Sequence, residues 1–162
     1  MLIDENNIKK AACVFCNGGI INNHSCEQGC NGCKECVEVC EAKAISINKN
    51  GVAVVDEEKC ESCGACVKAC PRNIIRIKPI GSFIAPLCSN TALGKDAMAA
   101  CDKSCIACRM CERICPAGAI KVMDNHARIA YKMCLTCGGC IANCPREVII
   151  DQRGIMTKRV ER

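Results

Sequence analysis

At 162 residues the chain has room for one domain or two small ones. Aromatic residues make up 2 % and Trp is absent, which excludes an ordinary aromatic-rich core and leaves 21 cysteines to act as staples. The formal charge of +5 suggests no nucleic acid, because no basic run is interleaved with aromatics. A disulfide framework belongs to secreted chains. Here the cysteine count is odd, and Met-Leu-Ile-Asp-Glu-Asn-Asn-Ile-Lys-Lys does not open like a signal peptide. No stretch approaches the roughly 18 apolar residues of a membrane span. A reducing cytoplasm is the expected location.

Residues 1–25 are expected to form an N-terminal extension with Cys13, Cys16 and a tight Cys16-Asn17-Gly18-Gly19 turn. From residue 26 to 80 the sequence reads as one module. Its first cysteine quartet, Cys30, Cys33, Cys36 and Cys40, precedes Ala44–Asn48 and Val52–Asp56, two β-rich runs around Asn50-Gly51 that predict a hairpin. A second quartet follows, Cys60, Cys63, Cys66 and Cys70, then a strand at Ile74–Lys78. Residues 81–100 connect, with a strand at Ser82–Leu87 and a helix to about Ala100 capped by Asn90 or Thr91. Residues 101–151 repeat the pattern. Cys105, Cys108, Cys111 and Cys115 lead to strands at Ala119–Met123 and Ala127–Tyr131, and Cys134, Cys137, Cys140 and Cys144 to one at Val148–Asp151. Residues 152–162 form a polar tail in which Lys158, Arg159 and Arg162 read as a solvated end.

Three cysteines at intervals of three, with a fourth further on, match the ligand run of the bacterial ferredoxins, whose thiolates hold a cubic [4Fe–4S] cluster. Structural zinc sites more often use two pairs well separated in sequence. The fold class expected is α+β: two tandem bacterial-type two-cluster modules, internally duplicated, with small sheets and short helices. The cofactors expected are four [4Fe–4S] clusters. Each cube with its four thiolates carries about −2, so four of them would take the holoprotein from +5 to about −3.

In two-cluster ferredoxins the fourth cysteine of each run serves the other cluster. That pattern groups Cys30, Cys33 and Cys36 with Cys70, and Cys60, Cys63 and Cys66 with Cys40. In the second half it groups Cys105, Cys108 and Cys111 with Cys144, and Cys134, Cys137 and Cys140 with Cys115. Gly64, Gly138 and Gly139 are expected to let backbone amides approach the cluster sulfurs. Pro71, Pro116 and Pro145 follow three of the fourth cysteines, whereas Glu41 follows Cys40, so a different local turn is expected there.

Cys16 and Cys88, like Cys26 and Cys101, occupy matching repeat positions. They are expected to be buried small hydrophobes, or else a close thiol or disulfide pair within each half. A fifth cluster would need all four to converge from both halves, which the duplication argues against. Cys13 is an extra thiol without a repeat partner. His24 and His126, in polar turn-like segments, are expected to be solvated. Met98, Met110, Met123 and Met133 are expected to fill gaps in the core, and Tyr131 to pack beside a cluster.

A more specific resemblance rests on Val14-Phe15-Cys16-Asn17-Gly18-Gly19, on Cys26-x3-Cys30, on Leu87-Cys88-Ser89-Asn90 with Gly94-Lys95, and on Cys101-x3-Cys105-Ile106. Together they make residues 12–151 similar to the B subunit of the Rnf electron-transport complex. The resemblance implies a polyferredoxin relay serving flavin- or NAD(P)-dependent oxidoreductase subunits and soluble ferredoxin. The family's membrane anchor and further cluster-binding segment have no counterpart in this sequence, so a soluble polyferredoxin is expected. With no nucleotide-binding glycine motif and no nucleophile–base pair, the chain is expected to be no enzyme by itself. It would be an iron–sulfur subunit, alternatively a freely diffusing carrier, and less readily a redox sensor.

Overall fold

The computed structural model describes residues 8–18 and 26–156. His24 and the tail residues Lys158, Arg159 and Arg162 lie outside them. The chain folds as two α+β modules, each closed by a pair of strands. In the first, β1 (Lys10–Val14) pairs antiparallel with β4 (Ile75–Pro79), while β2 (Ile45–Ile47) and β3 (Ala53–Val55) form a hairpin. In the second, β5 (Ile84–Pro86) pairs with β8 (Ile149–Asp151), and β6 (Ile120–Met123) with β7 (His126–Ile129). Thus β1 and β5, from the segments ahead of the quartets, become closing strands of the modules.

Four short helices follow from the quartets: α1 (Glu35–Glu38), α2 (Ala65–Ala69), α4 (Met110–Ile114) and α5 (Gly139–Ala142). The connecting helix α3 (Gly94–Ala100) starts after Leu93 with no side-chain cap. The expected cap is absent because the Asn90 side-chain oxygen accepts the Ala92 N–H at 2.8 Å and the Thr91 hydroxyl turns to Gln28.

Consecutive buried aliphatic residues on and beside these short strands supply a small core. In the first module Val14, Ile45, Val52, Ile74 and Ile75 are buried against Cys36, Cys66 and Cys70; in the second, Ile84, Ile120 and Ile149 pack with Cys111. Each such aliphatic side chain contributes about 2 kcal/mol. Between the modules Cys13, Phe15, Ala85, Leu87 and Ile150 form a seam. The methionines do not fill the core. Met98, Met110, Met123 and Met133 are all exposed, because aliphatic side chains and cysteines already occupy the interior.

His126 is buried rather than solvated, at 2 % exposure. Its Nδ1 lies 2.9 Å from the Asp124 carbonyl, and its Nε2 accepts the Arg128 Nε–H at 3.2 Å. One nitrogen therefore donates and the other accepts, as a neutral ring requires. Burial first, then the neighbouring Arg128 and Arg76 charges, hold its pKa below the ordinary value of 6.5. Lys78 on β4 is buried too. Its ammonium donates to the Glu57 carboxylate and to the Ser82 carbonyl, both at 2.8 Å, so it ties the first module to the connecting segment.

Removing one partner of a buried pair leaves the other charge uncompensated, whereas an apolar replacement avoids that penalty. Because the Glu57 side chain is still 27 % exposed, Glu57→Gln is expected to destabilise by about 1–2 kcal/mol, and Lys78→Met by less than half as much, as anaerobic thermal melts of the holoprotein would read. For His126 the unfolded chain binds the proton more readily than the folded one. The stability it contributes is complete above about pH 6.5 and is lost as pH falls from there toward the lower folded value. Melting temperature should fall more steeply over that window in the wild type than in His126→Gln.

Candidate iron–sulfur sites

Each quartet folds into one repeated backbone path. The residue before the second cysteine (Gly32, Ser62, Ala107, Thr136) and the residue after it (Lys34, Gly64, Arg109, Gly138) all have positive φ, from 51° to 76°. Left-handed residues spaced this way turn N–H groups to one side of a loop and build an anion-binding nest. The helix then begins at once, with the third cysteine as its second residue in α1, α2, α4 and α5. Gly64 and Gly138 therefore serve a left-handed conformation. A Cβ on Gly64 would meet nothing within 4 Å, and Lys34 and Arg109 hold the same position in the other two loops. Gly139 lies nearer a sulfur, 3.8 Å from its Cβ position to Cys137 Sγ.

After the fourth cysteine the path repeats again. Lys43, Asn73, Gly118 and Glu147 are left-handed, and their N–H groups donate to the carbonyls of Cys40, Cys70, Cys115 and Cys144 at 3.0 to 3.2 Å. Glu41 does not alter this turn, because the hydrogen bond that closes it is made two residues later, by Lys43.

The second cysteine of every quartet, Cys33, Cys63, Cys108 and Cys137, is exposed; Cys36, Cys66 and Cys111, the third in three of them, are buried. Three of the sets surround cavities. Cys30, Cys33, Cys36 and Cys70 line the first. Cys40, Cys60, Cys63 and Cys66 line the second. Cys105, Cys108, Cys111 and Cys144 line the third. Around the fourth quartet, Cys134 and Cys137 lie close enough to act on Cys140, and Cys115 packs on the same core as Cys140.

Burial is the main cause that pushes thiols up in these sets, with repulsion from the neighbouring cysteines second: Cys36 and Cys140 to about 11, and Cys111 to about 12. Cys115 moves the other way. Burial opposes ionisation there, but the N–H groups of Ala119, Ile120, Ala117 and Gly118 outweigh it. Backbone donors also reach Cys40 from Ala44 at 3.3 Å, Cys60 from Ala12 at 3.4 Å and Cys30 from Ala53 at 3.4 Å. Such N–H···S bonds favour thiolates and tune what they bind. Among the described residues no three Cys, His, Asp or Glu side chains close tightly enough to hold a single metal ion. Sulfurs spread around cavities, with N–H groups turned to them, fit a cluster better than an ion.

The cavity walls differ in charge. Lys34 and Arg72 line the first and Arg109 and Arg146 the third, whereas Glu41 and Glu61 line the second, which is also the widest at about 190 Å³. Ala12, whose N–H reaches Cys60, was not evident as a site residue from local spacing. The repeat relation between residues 11–14 and 83–86 is the signal that could have found it. Tyr131 stands near Cys13 and Cys134, and burial raises its phenol well above the ordinary range.

The five remaining cysteines are not confined to their own halves. Cys13 is buried in the seam, with the Gln152 amide 3.5 Å from its sulfur. Cys26 of the first half approaches Cys88 and Cys101 of the second as well as Cys16. Of the five, Cys13 and Cys88 are buried and Cys16, Cys26 and Cys101 half-buried, and Cys26 lies near cysteines of both halves because the segments after β1 and β5 meet at the seam.

Two segments, residues 29–74 and 104–149, match 4Fe-4S dicluster domain families. Two clusters in each give four in total. Over 140 residues the chain is 38 % identical to the B subunit of the ion-translocating oxidoreductase complex of Methanosarcina acetivorans, covering 86 % of this chain and 52 % of the relative. It is 41 % identical to the B subunit of the Na(+)-translocating ferredoxin:NAD(+) oxidoreductase complex of Acetobacterium woodii, covering 76 % and 37 %. With the B subunit of the proton-translocating ferredoxin:NAD(+) oxidoreductase complex of Clostridium ljungdahlii the identity is 35 %, covering 77 % and 45 %. The chain therefore spans about half or less of the length of these relatives. No helix among the described residues is long and apolar enough to cross a membrane. The chain belongs to the 4Fe-4S dicluster ferredoxin family, as two such domains in tandem, and within it resembles the B subunits of ion-translocating oxidoreductase complexes.

Proposed function

We propose that this chain is the electron-relay subunit of a cytoplasmic flavin- or NAD(P)-dependent oxidoreductase complex, exchanging electrons with soluble ferredoxin. One observation carries the reading. The exposed second cysteine and its left-handed flanks recur in all four quartets, which puts a sulfur edge of every site at the surface while its other ligands are set deeper. When bound, [4Fe–4S] clusters supply one-electron oxidation and reduction. In this assignment Cys30, Cys33, Cys36 and Cys70 hold the first and Cys60, Cys63, Cys66 and Cys40 the second. Cys105, Cys108, Cys111 and Cys144 hold the third, and Cys134, Cys137, Cys140 and Cys115 the fourth. The chain's own part is to position thiolates, direct N–H groups at sulfur and set the local field. Basic walls at the first and third sites favour added negative charge, and the acidic wall at the second opposes it, which separates the stations in potential. The substrate chemistry then lies on a partner, as the names of the relatives suggest for their own complexes.

Crossed ligation is testable by paired substitution. Cys30→Ala with Cys70→Ala should remove one cluster, about four irons. Cys30→Ala with Cys40→Ala should disable two, about eight irons. Equal losses on anaerobic iron and sulfide analysis would overturn the crossing. For the relay itself, an anaerobic pull-down from the native host should recover a stoichiometric partner carrying flavin or reducing NAD(P). Recovery of a monomer that native mass measurement finds alone would favour a freely diffusing carrier.

A further inference from the structure

Four of the five cysteines that the quartets leave over meet between the modules. Cys16 and Cys26 come from the segment ahead of the first quartet, Cys88 and Cys101 from the segment ahead of the third. The two pairs make matching contacts. The Cys30 N–H donates to Cys16 Sγ at 3.3 Å, and the Cys105 N–H donates to Cys88 Sγ at 3.4 Å. Cys88 also accepts the Asn90 N–H at 3.4 Å. These are bonds of the same kind and length as those to the quartet sulfurs of Cys40 and Cys115, both 3.3 Å.

Gly18 shows how closely the halves approach. Its carbonyl lies 2.8 Å from Cys16 Sγ, and a Cβ built on it would stand only 2.8 Å from Cys101 Sγ. Sulfurs from both halves therefore bracket one glycine that has no room for a side chain. On the other side, a Cβ on Gly29 would touch the Cys26 Cβ at 3.4 Å and Cys16 Sγ at 3.5 Å. Cys26 is near enough to Cys16, Cys88 and Cys101 for its charge to oppose ionisation of each. Contacts across the halves hold this arrangement: Gln28 Oε1 accepts both the N–H and the hydroxyl of Thr91, at 2.7 and 2.9 Å, and the Ser89 hydroxyl donates to the Phe15 carbonyl at 3.1 Å.

We infer that Cys16, Cys26, Cys88 and Cys101 hold a further iron–sulfur cluster at the seam between the two modules. Four cysteines satisfy either a [2Fe–2S] or a [4Fe–4S] centre. As with the quartets, the sulfurs do not close on a point suited to a single ion. The position has a consequence for electron flow. Cys16 is bonded to the backbone of Cys30 and Cys88 to that of Cys105, so the seam centre lies between the first ligands of two sites in different modules. It would join two dicluster units into one path and clamp them together.

The test is native mass measurement of the full chain, purified anaerobically and loaded with iron and sulfide, with iron, sulfide and zinc analysis. A mass excess of one cluster beyond the four of the dicluster domains is expected, reaching about 20 irons for a cube or about 18 for a [2Fe–2S] centre. In Cys88→Ser with Cys101→Ser the additional cluster should vanish while the other four stay. A wild-type mass with four clusters and nothing more would overturn the inference without relying on any variant. So would one zinc per chain that the double substitution removes, or a mass about 2 Da low from a disulfide among these cysteines. Failure of the four dicluster centres would appear separately, as loss of their mass in wild type.

Discussion

Gathering thiolates inside a small protein is the constraint on which this fold depends. Each buried sulfur loses water and faces neighbours of the same charge, and both effects push Cys36, Cys111 and Cys140 upward. The chain answers with backbone. Positive-φ residues on both sides of the second cysteine turn N–H groups inward, and the helix that follows holds the third cysteine on its first turn. Lys34 and Arg109 accept a left-handed conformation that glycine adopts more easily, a sign that loop shape outranks local preference. Strands and helices stay short because their task is to close these loops. With few aromatics available, the cysteines themselves become part of the core.

Duplication turns one solution into a larger object. Each module is sealed by a strand from ahead of its first quartet, β1 on β4 and β5 on β8. Those strands carry Phe15 and Leu87 into a common apolar seam with Cys13 and Ile150. An arginine lies over a phenylalanine in each half, Arg76 over Phe15 at 4.9 Å and Arg153 over Phe83 at 5.1 Å, a contact that adds cation–π attraction to burial. The seam is therefore built from the segments whose composition departs from that of the quartets.

Much of the architecture was legible beforehand. The hairpins at β2–β3 and β6–β7 announce themselves by short β-branched runs around Asn-Gly and Asp-Asn, and β4 and β8 by Ile-rich runs after a fourth cysteine. Other features were not. Polar neighbours suggested a solvated His126, but Asp124 and Arg128 fold over its ring and satisfy both nitrogens. Methionines suggested filler, yet strands of three to five residues leave little interior beyond what Ile, Val, Ala and Cys occupy. Asn90 suggested a helix cap, and its side chain instead closes a local turn on Ala92.

By itself the sequence determined the chemistry: thiol ligation is encoded by spacings of three and by the turn that follows, all within a dozen residues, so pattern alone carries it. Repetition of that pattern also announced the tandem modules. Tertiary structure decided what depends on residues far apart. It set β1 against β4, more than sixty positions along the chain. It gave the second cavity an acidic wall and the first and third basic ones. It brought Cys26 to Cys88 and Cys101 across the seam. Spacing cannot report such meetings, because they follow from how two folded modules pack and not from how either one turns.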